Sequence, residues 1–266
     1  MTYNEQGLFN CVQQRGIVEP KRTEAIILRT KDFGESDRIV TAFSSLYGTL
    51  RGIAKGARRS SKRFSNSLNI FSLVNLEFRE RRGSDLVWFD SCELIDGYPG
   101  IRSDYDLLLK ASYMIEMTGT LFPPNVVSSE MFRLLQSALS YISEKQDTEG
   151  TMIIFQAQAM RIGGFGINVS KCSLCGRSYK GEGRALFHPP SGSIVCMACE
   201  KESAFTPGMD RTTVYALEQV QSHDFSISHT FQCNEDTLKE LKRVLLSHVE
   251  HRLGKRLKSA KYLNFP

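Results

Sequence analysis

The stretch TEAIILRTKDFGESDRIVTAFSSLYGTLRGIAKGARRSSKRF, Thr23–Phe64, decides the fold of the first part of the chain. Its apolar residues come in short runs with a period near two, the pattern of strands that bury one face. Thr23 to Thr30 is one predicted strand, built on Ile26, Ile27 and Leu28. Arg38 to Ser44 is a second, with Ile39, Thr41 and Phe43 on one side. Tyr47-Gly48 supplies a turn, and Thr49 to Lys55 makes a third. In that third strand alternation puts Arg51, Ile53 and Lys55 on one face and Leu50, Gly52 and Ala54 on the other.

Downstream, Val74, Leu76 and Phe78 share one face of a fourth strand, opposite Asn75, Glu77 and Arg79. A turn through Arg82-Gly83-Ser84-Asp85 leads to a fifth, Leu86–Leu94. Five strands within about 75 residues predict a small closed barrel of the OB type. This segment is also basic. No acidic residue stands between Asp37 and Glu77, whereas Arg38, Arg51, Lys55, Arg58, Arg59, Lys62 and Arg63 do. Clusters of one sign mark a polyanion partner, most often nucleic acid. A basic strand face running into the loop GARRSSKRFSNS is how an OB barrel follows a phosphodiester backbone. Phe33, Tyr47, Phe64 and Trp88 are candidates to stack on bases, each competing with a reading as core or hinge aromatic.

Residues 1–20 carry little periodicity and read as a flexible leader, residues 21–98 as the OB-fold domain, and 99–266 as a helical domain. Ser103 with Asp106 matches a capping box, opening a helix to about Phe122 that carries Leu108, Leu109, Ile115 and Met117. Met131, Leu135, Leu139 and Ile142 mark a second helix, and Met152, Phe155, Ala159 and Ile162 a third, stopped by the glycines of GGFG at 163–166. Thr206-Pro207 with Asp210 starts another, through roughly Gln221. Asn234 caps the last, whose apolar stripe is Leu238, Leu241, Leu245 and Val249. A second basic concentration, Lys239 to Lys261, lies on and after that helix, where its dipole accounts for part of the charge.

Two Cys-x-x-Cys pairs, Cys172/Cys175 and Cys196/Cys199, stand with 20 residues between them inside a segment at 170–202. Two closely spaced pairs of thiolates reach the corners of a tetrahedron around one zinc ion. Gly176 follows the first pair, where a small residue lets backbone amides turn toward the sulfurs. Four protein ligands leave no open position for water, so the metal is expected to hold a fold and do no chemistry. His188 is a weaker alternative ligand, and Cys11, Cys92 and Cys233 have no close cysteine partner.

The composition suits a globular protein outside the membrane, with 41% hydrophobic and 24% charged residues and a net charge of +5 over 266 residues. No stretch has the length of a membrane span, and the first twenty residues lack the pattern of a signal peptide. A cytoplasmic, reducing compartment follows, where thiols bind metal more readily than they pair. Catalytic signatures are missing: there is no G-x-S-x-G, H-E-x-x-H or P-loop, and only five histidines. His248-Val249-Glu250 matches the H-x-E fragment of zinc deaminases, but both cysteine pairs lie upstream of it. Asp32, Glu35 and Asp37 are a candidate magnesium group for a nuclease, more simply read as turn-capping residues.

GESDRIVTAFS at 34–44 and GTLRGIAKGARR at 48–59 closely resemble the N-terminal domain of the RecO family of bacterial recombination mediators. CSLCG at 172–176 and SGSIVCMAC at 191–199 are similar to the cysteine-bearing segment of many members. The resemblance covers about Lys21 to Leu253. It implies an OB-fold joined to a helical domain that carries the zinc segment. It also implies binding of single- and double-stranded DNA, annealing of complementary strands, and partnership with RecR. Together these would help RecA replace single-stranded-DNA-binding protein (SSB), with no nucleotide hydrolysis.

By position, Arg38, Arg51, Lys55, Arg58 and Arg59 match the family's basic motif, and charge alone adds Lys62 and Arg63. The acidic SSB tail, with its terminal hydrophobic residue, requires an apolar pocket rimmed by cations. That pocket is expected between the amphipathic helices and the Lys239–Lys261 run. The alternatives are an RNA-binding OB and zinc-ribbon protein, a metal-dependent nuclease, and a scaffold that binds no DNA.

Overall fold

A bulge at Leu28 lets one strand, Lys21–Phe33 (β1), serve two neighbours. The computed structural model describes residues 19–60, 62–81, 83–222, 225 and 233–263. The leader up to residue 18, with Cys11, and Arg82 of the predicted turn lie outside the described residues. Before the bulge β1 pairs with Leu73–Arg79 (β4), and across it with Asp37–Ser44 (β2). Gly48–Ala54 (β3) follows β2, and Val87–Asp96 (β5) lies between β4 and β3. The barrel closes in the order β1-β2-β3-β5-β4, all neighbours antiparallel except β3 and β5. This is the OB arrangement that the alternating segments predict.

Alternation sorts the side chains. Ala25, Ile27, Val40, Ala42, Ala54, Val74, Leu76, Phe78 and Phe89 fill the interior, and Phe64 and Leu68 from the β3–β4 loop plug it. Phe64 is therefore core and not a stacking residue. Ile26, Leu28 and Phe43 face outward into the helical core, where Phe43 meets Phe122 at 5.9 Å and Phe132 at 6.5 Å between ring centroids. The Thr49 hydroxyl donates to the Phe122 carbonyl at 2.7 Å. Gly48, at φ 66°, sits where a Cβ would strike the Val126 carbonyl, so turn and contact both require glycine.

The helices are Pro99–Arg102 (α1), Tyr105–Leu121 (α2), Ser129–Ser143 (α3), Thr148–Ile162 (α4), Arg211–Ser222 (α5) and Glu235–Leu253 (α6). Every residue from Thr151 to Met160 is buried, which makes α4 the centre of the helical part. Three sequence readings are corrected. Asp104, not Ser103, caps α2, accepting from the Asp106 and Leu107 amides, because α1 occupies the preceding turn. Leu107 takes the core position of that helix and Leu108 is exposed. Asp210 does cap α5, through the Thr213 amide, but Thr206-Pro207 leads into a short strand, Gly208–Met209 (β8), before it. Asn234 caps α6 as its sequence predicts, and Leu241, Leu245 and Val249 are buried.

His248 of α6 is fully buried, its Nε2 donating to the Phe165 carbonyl of the GGFG turn. Nδ1 has no hydrogen-bond partner among the described residues, so a second ring proton would have no acceptor. Burial pushes its pKa down to about 4, and the Arg252 charge adds to the effect against the Phe165 bond. The histidine is thus a neutral core residue and not part of a deaminase site. Above pH 6.5 neither state carries the proton; below it the unfolded chain takes one up that the folded chain refuses. Stability is expected to fall by up to about 3 kcal/mol between pH 6.5 and pH 4 through this group. Urea unfolding at stepped pH checks it, and His248→Gln should flatten that part of the profile.

Candidate nucleic-acid interface and metal centre

The cysteine segment builds a small sheet of its own. Ala185–His188 (β6) and Ser193–Cys196 (β7) pair as a hairpin, with β8 on the other edge of β6. The sequence pattern did not reveal these short strands. Each cysteine pair closes a turn: the Gly176 amide donates to the Cys172 carbonyl, and the Cys199 amide to that of Cys196. Gly176 has φ 73°, the left-handed conformation that the first turn needs. The hairpin carries Cys196 against the first turn, and its amide reaches the Cys172 sulfur at 3.4 Å.

The four sulfurs lie within 4.8 Å of one another, and the Cys175–Cys196 and Cys196–Cys199 separations are 3.8 and 3.6 Å. Sulfurs at the corners of a tetrahedron around zinc stand about 3.8 Å apart, given a Zn–S bond of about 2.3 Å. The donor set and its spacing fit a metal ion. Burial resists ionisation of Cys172, but the amides of Cys175, Cys196 and Leu174 outweigh it and bring the thiol to about 6. Cys199 is pushed up to about 12, chiefly by sharing protons with Cys196 and Cys175. Four thiols this close resist ionising together unless a cation neutralises them. His188 lies outside this cluster, and its Nδ1 meets the Ser191 hydroxyl.

The seven basic residues named from sequence all belong to β2, β3 or the loop after β3. Arg51, Lys55, Arg58, Arg59, Lys62 and Arg63 are exposed and Arg38 half-exposed. They are not equivalent. Arg38 and Arg58 both pair with Asp32, at 3.1 and 3.5 Å, and Arg58 also donates to the Glu35 carbonyl. Arg63 donates to the Lys55 carbonyl at 2.9 Å, tying the loop back to its strand. Among the described residues, Arg51, Arg59 and Lys62 have no carboxylate within ion-pair distance. The strand register adds two further cations of this kind, Arg29 opposite Thr41 and Lys31 opposite Ile39. Sequence reasoning missed both, because the bulge in β1 decides which side they occupy.

Around β4 three cations are neutralised, Arg79 being in register with Trp88. Lys21 pairs with Glu80, Arg22 with Glu77, and Arg79 with both oxygens of Asp90. In the C-terminal run Lys239 pairs with Glu235, Lys242 with Glu149 and Arg256 with Glu250. The acidic trio does not converge. Asp32 serves the two arginines, while Asp37 accepts from the Gly56 amide and Ser36 hydroxyl, which hold its carboxyl below the usual range. Of the remaining aromatic candidates, Tyr47 packs edge-on against Phe78. Phe33 is exposed and Trp88 half-exposed, with Lys55 Nζ 3.8 Å from the Trp88 ring centroid.

Comparison with known proteins adds independent findings. Residues 19–98 match the family model described as recombination protein O N terminal, and 102–261 the one described as recombination protein O C terminal. The chain is 34% identical over 242 residues, 91% of its own length and 96% of that protein, to the DNA repair protein RecO of Syntrophobacter fumaroxidans. It is 30% identical over 249 residues to the protein of the same name from Syntrophus aciditrophicus, covering 91% of this chain and 95% of that one. With that from Geobacter metallireducens it shares 35% over 187 residues, 70% of this chain and 75% of the relative.

Binding energy at a site assembled only in the folded chain is folding energy. Protein purified without chelator is expected to hold one metal ion per chain by elemental analysis. Cys196→Ser should lower the melting temperature by on the order of 10 °C. An unchanged melting temperature in a metal-containing wild type would assign the ion elsewhere.

Proposed function

This chain belongs to the RecO family of DNA repair proteins, and from that membership we propose a mediator role. The protein binds single- and double-stranded DNA, anneals complementary strands, and works with RecR to help RecA load onto DNA covered by SSB. It acts by binding, without catalysing a reaction, in the cytoplasm. Among the described residues no helix is long and apolar enough to cross a membrane. The barrel, residues 21–98, is the DNA-binding domain, and residues 99–266 carry the partner contacts. The ion held by Cys172, Cys175, Cys196 and Cys199 is a structural zinc; when bound it cross-links the two turns of the 170–202 segment.

The observation that carries the DNA reading is the uneven pairing of charge. Lys21, Arg22 and Arg79, around β4, have carboxylate partners, whereas Arg29, Lys31, Arg51, Arg59 and Lys62 lie open on the β1–β2–β3 side and its loop. A phosphodiester backbone supplies the missing counter-charge, and each contact releases a counterion. Arg38, Lys55, Arg58 and Arg63 border the same track, positioned by their local bonds.

The SSB tail is assigned to the helical domain, in a cleft of about 580 Å³ between α3 and α4. Arg133 rims it, Arg161 stands beside it paired with Glu130, and Leu134, Ile162, Tyr141 and Phe225 supply apolar wall. In the Lys239–Lys261 run Lys239, Lys242 and Arg256 have carboxylate partners, as Arg161 has in the cleft; the cleft is preferred because it joins Arg133 to an apolar wall.

Arg51→Glu combined with Arg59→Glu should weaken DNA binding at least tenfold for every sequence and flatten its salt dependence by about two charges. Fluorescence anisotropy across a salt series checks this, and an unchanged slope would relocate the site. An equal preference for RNA of the same sequence at equal salt would favour the RNA-binding alternative. An SSB-tail peptide should bind with an affinity that falls as salt rises. Binding should be lost on removing its last residue and weakened in Arg133→Glu; equal binding by a scrambled acidic peptide would leave charge attraction alone.

A further inference from the structure

The outer face of the barrel carries a row of apolar side chains as well as cations. The register sets Lys31 opposite Ile39, Ile39 opposite Ile53, and Ile53 opposite Trp88. Their chain neighbours Val40, Ala54 and Phe89 point into the barrel, so Ile39, Ile53 and Trp88 point out, and all three are half-exposed. Other outward apolar residues of the same strands, Ile26 and Phe43, are buried under the helices. This row is not. Arg51 lies two residues from Ile53 on the same face, and Lys55 two residues beyond it.

At the end of the row, Lys55 Nζ stands 3.8 Å and the Arg81 guanidinium 5.2 Å from the Trp88 ring centroid. The two cations come from different elements, the end of β3 and the β4–β5 loop. A cation over an exposed indole is a weak contact that a better partner for both groups displaces. We propose that Trp88, with Ile53 and Ile39 beside it, is a platform on which unpaired bases of single-stranded DNA stack, and that Lys55 covers the indole until a base replaces it and then moves to the adjoining phosphate.

Single-stranded DNA offers both partners at once, a base face for the ring and a phosphate for the ammonium. A duplex hides its base faces and offers only phosphate. The row therefore favours single strands within a site whose cations accept either form. This inference rests on the DNA-binding role proposed above, and it adds the element that distinguishes strandedness.

Trp88 is the only tryptophan in the chain, so its fluorescence reports this site alone. The full-length protein is titrated with a thymidine oligonucleotide of about 15 nucleotides and with a duplex of equal length. The single strand should quench the emission and the duplex should not. Trp88→Leu should lose on the order of tenfold in single-strand affinity, with duplex affinity and salt slope unchanged, and Trp88→Phe should recover most of it. Circular dichroism of both variants reports whether the barrel is intact, and the wild-type quenching test does not depend on them. No quenching by the single strand, or equal quenching by both forms, would overturn the platform even where Arg51→Glu/Arg59→Glu still weakens binding. Absence of any DNA binding by the wild type would overturn the underlying DNA reading as well.

Discussion

Closure of the barrel depends on the parallel pairing of β5 with β3, and Gly52 leaves the room that the Val87 and Phe89 side chains take there. A Cβ there would lie 2.8 Å from the Val87 methyl and the Phe89 ring, so any larger residue would displace the side chains packed at this seam. The parallel pairs Gly52/Val87, Ile53/Trp88 and Ala54/Phe89 form across this seam. With the seam closed, no strand edge is left open and every second residue has a defined side. The interior receives Phe89 and the exterior Trp88. The position of the basic track relative to the aromatic ring follows from this one approach.

The helical part then decides which portion of the exterior stays available. It covers Ile26, Leu28 and Phe43 with the apolar faces of its own helices, using Phe122 and Phe132 as the contact. Further along β2 and β3 the outward residues are Thr41, Ile39, Arg51 and Ile53, beyond that cover. Carboxylates divide the remaining surface. Where Glu77, Glu80 and Asp90 stand opposite lysine and arginine, charge is neutralised within the protein. Exposed pairs of that kind contribute little stability. Their larger consequence is to leave most of the unpaired cations on β1, β2, β3 and the loop after β3.

The cysteine segment plays a similar organising role in the helical part, on a smaller scale. Its hairpin and two turns enclose only Cys172, Leu186 and Val195 as a buried cluster of their own. So small a core gains much of its order from the four converging sulfurs.

Much of this was legible in the chain as a string. Period-two runs identified the five strands, the twin Cys-x-x-Cys spacing pointed to the four sulfurs that converge, and the absence of acidic residues between Asp37 and Glu77 marked the basic stretch. These are local signals, since side-chain direction, turn geometry and net charge depend on near neighbours in sequence. What stayed hidden depends on partners distant in the chain. Phe64 and Trp88 look alike as aromatic residues in a basic region. Only the closed barrel makes one a plug and exposes the other beside Ile53. Arg38 and Arg59 carry the same charge, but Asp32 engages the first alone. Sequence determined which groups are present and how each strand alternates. Tertiary structure determined which charges remain unpaired and which apolar residues remain uncovered, because both depend on what the fold brings within a few ångströms.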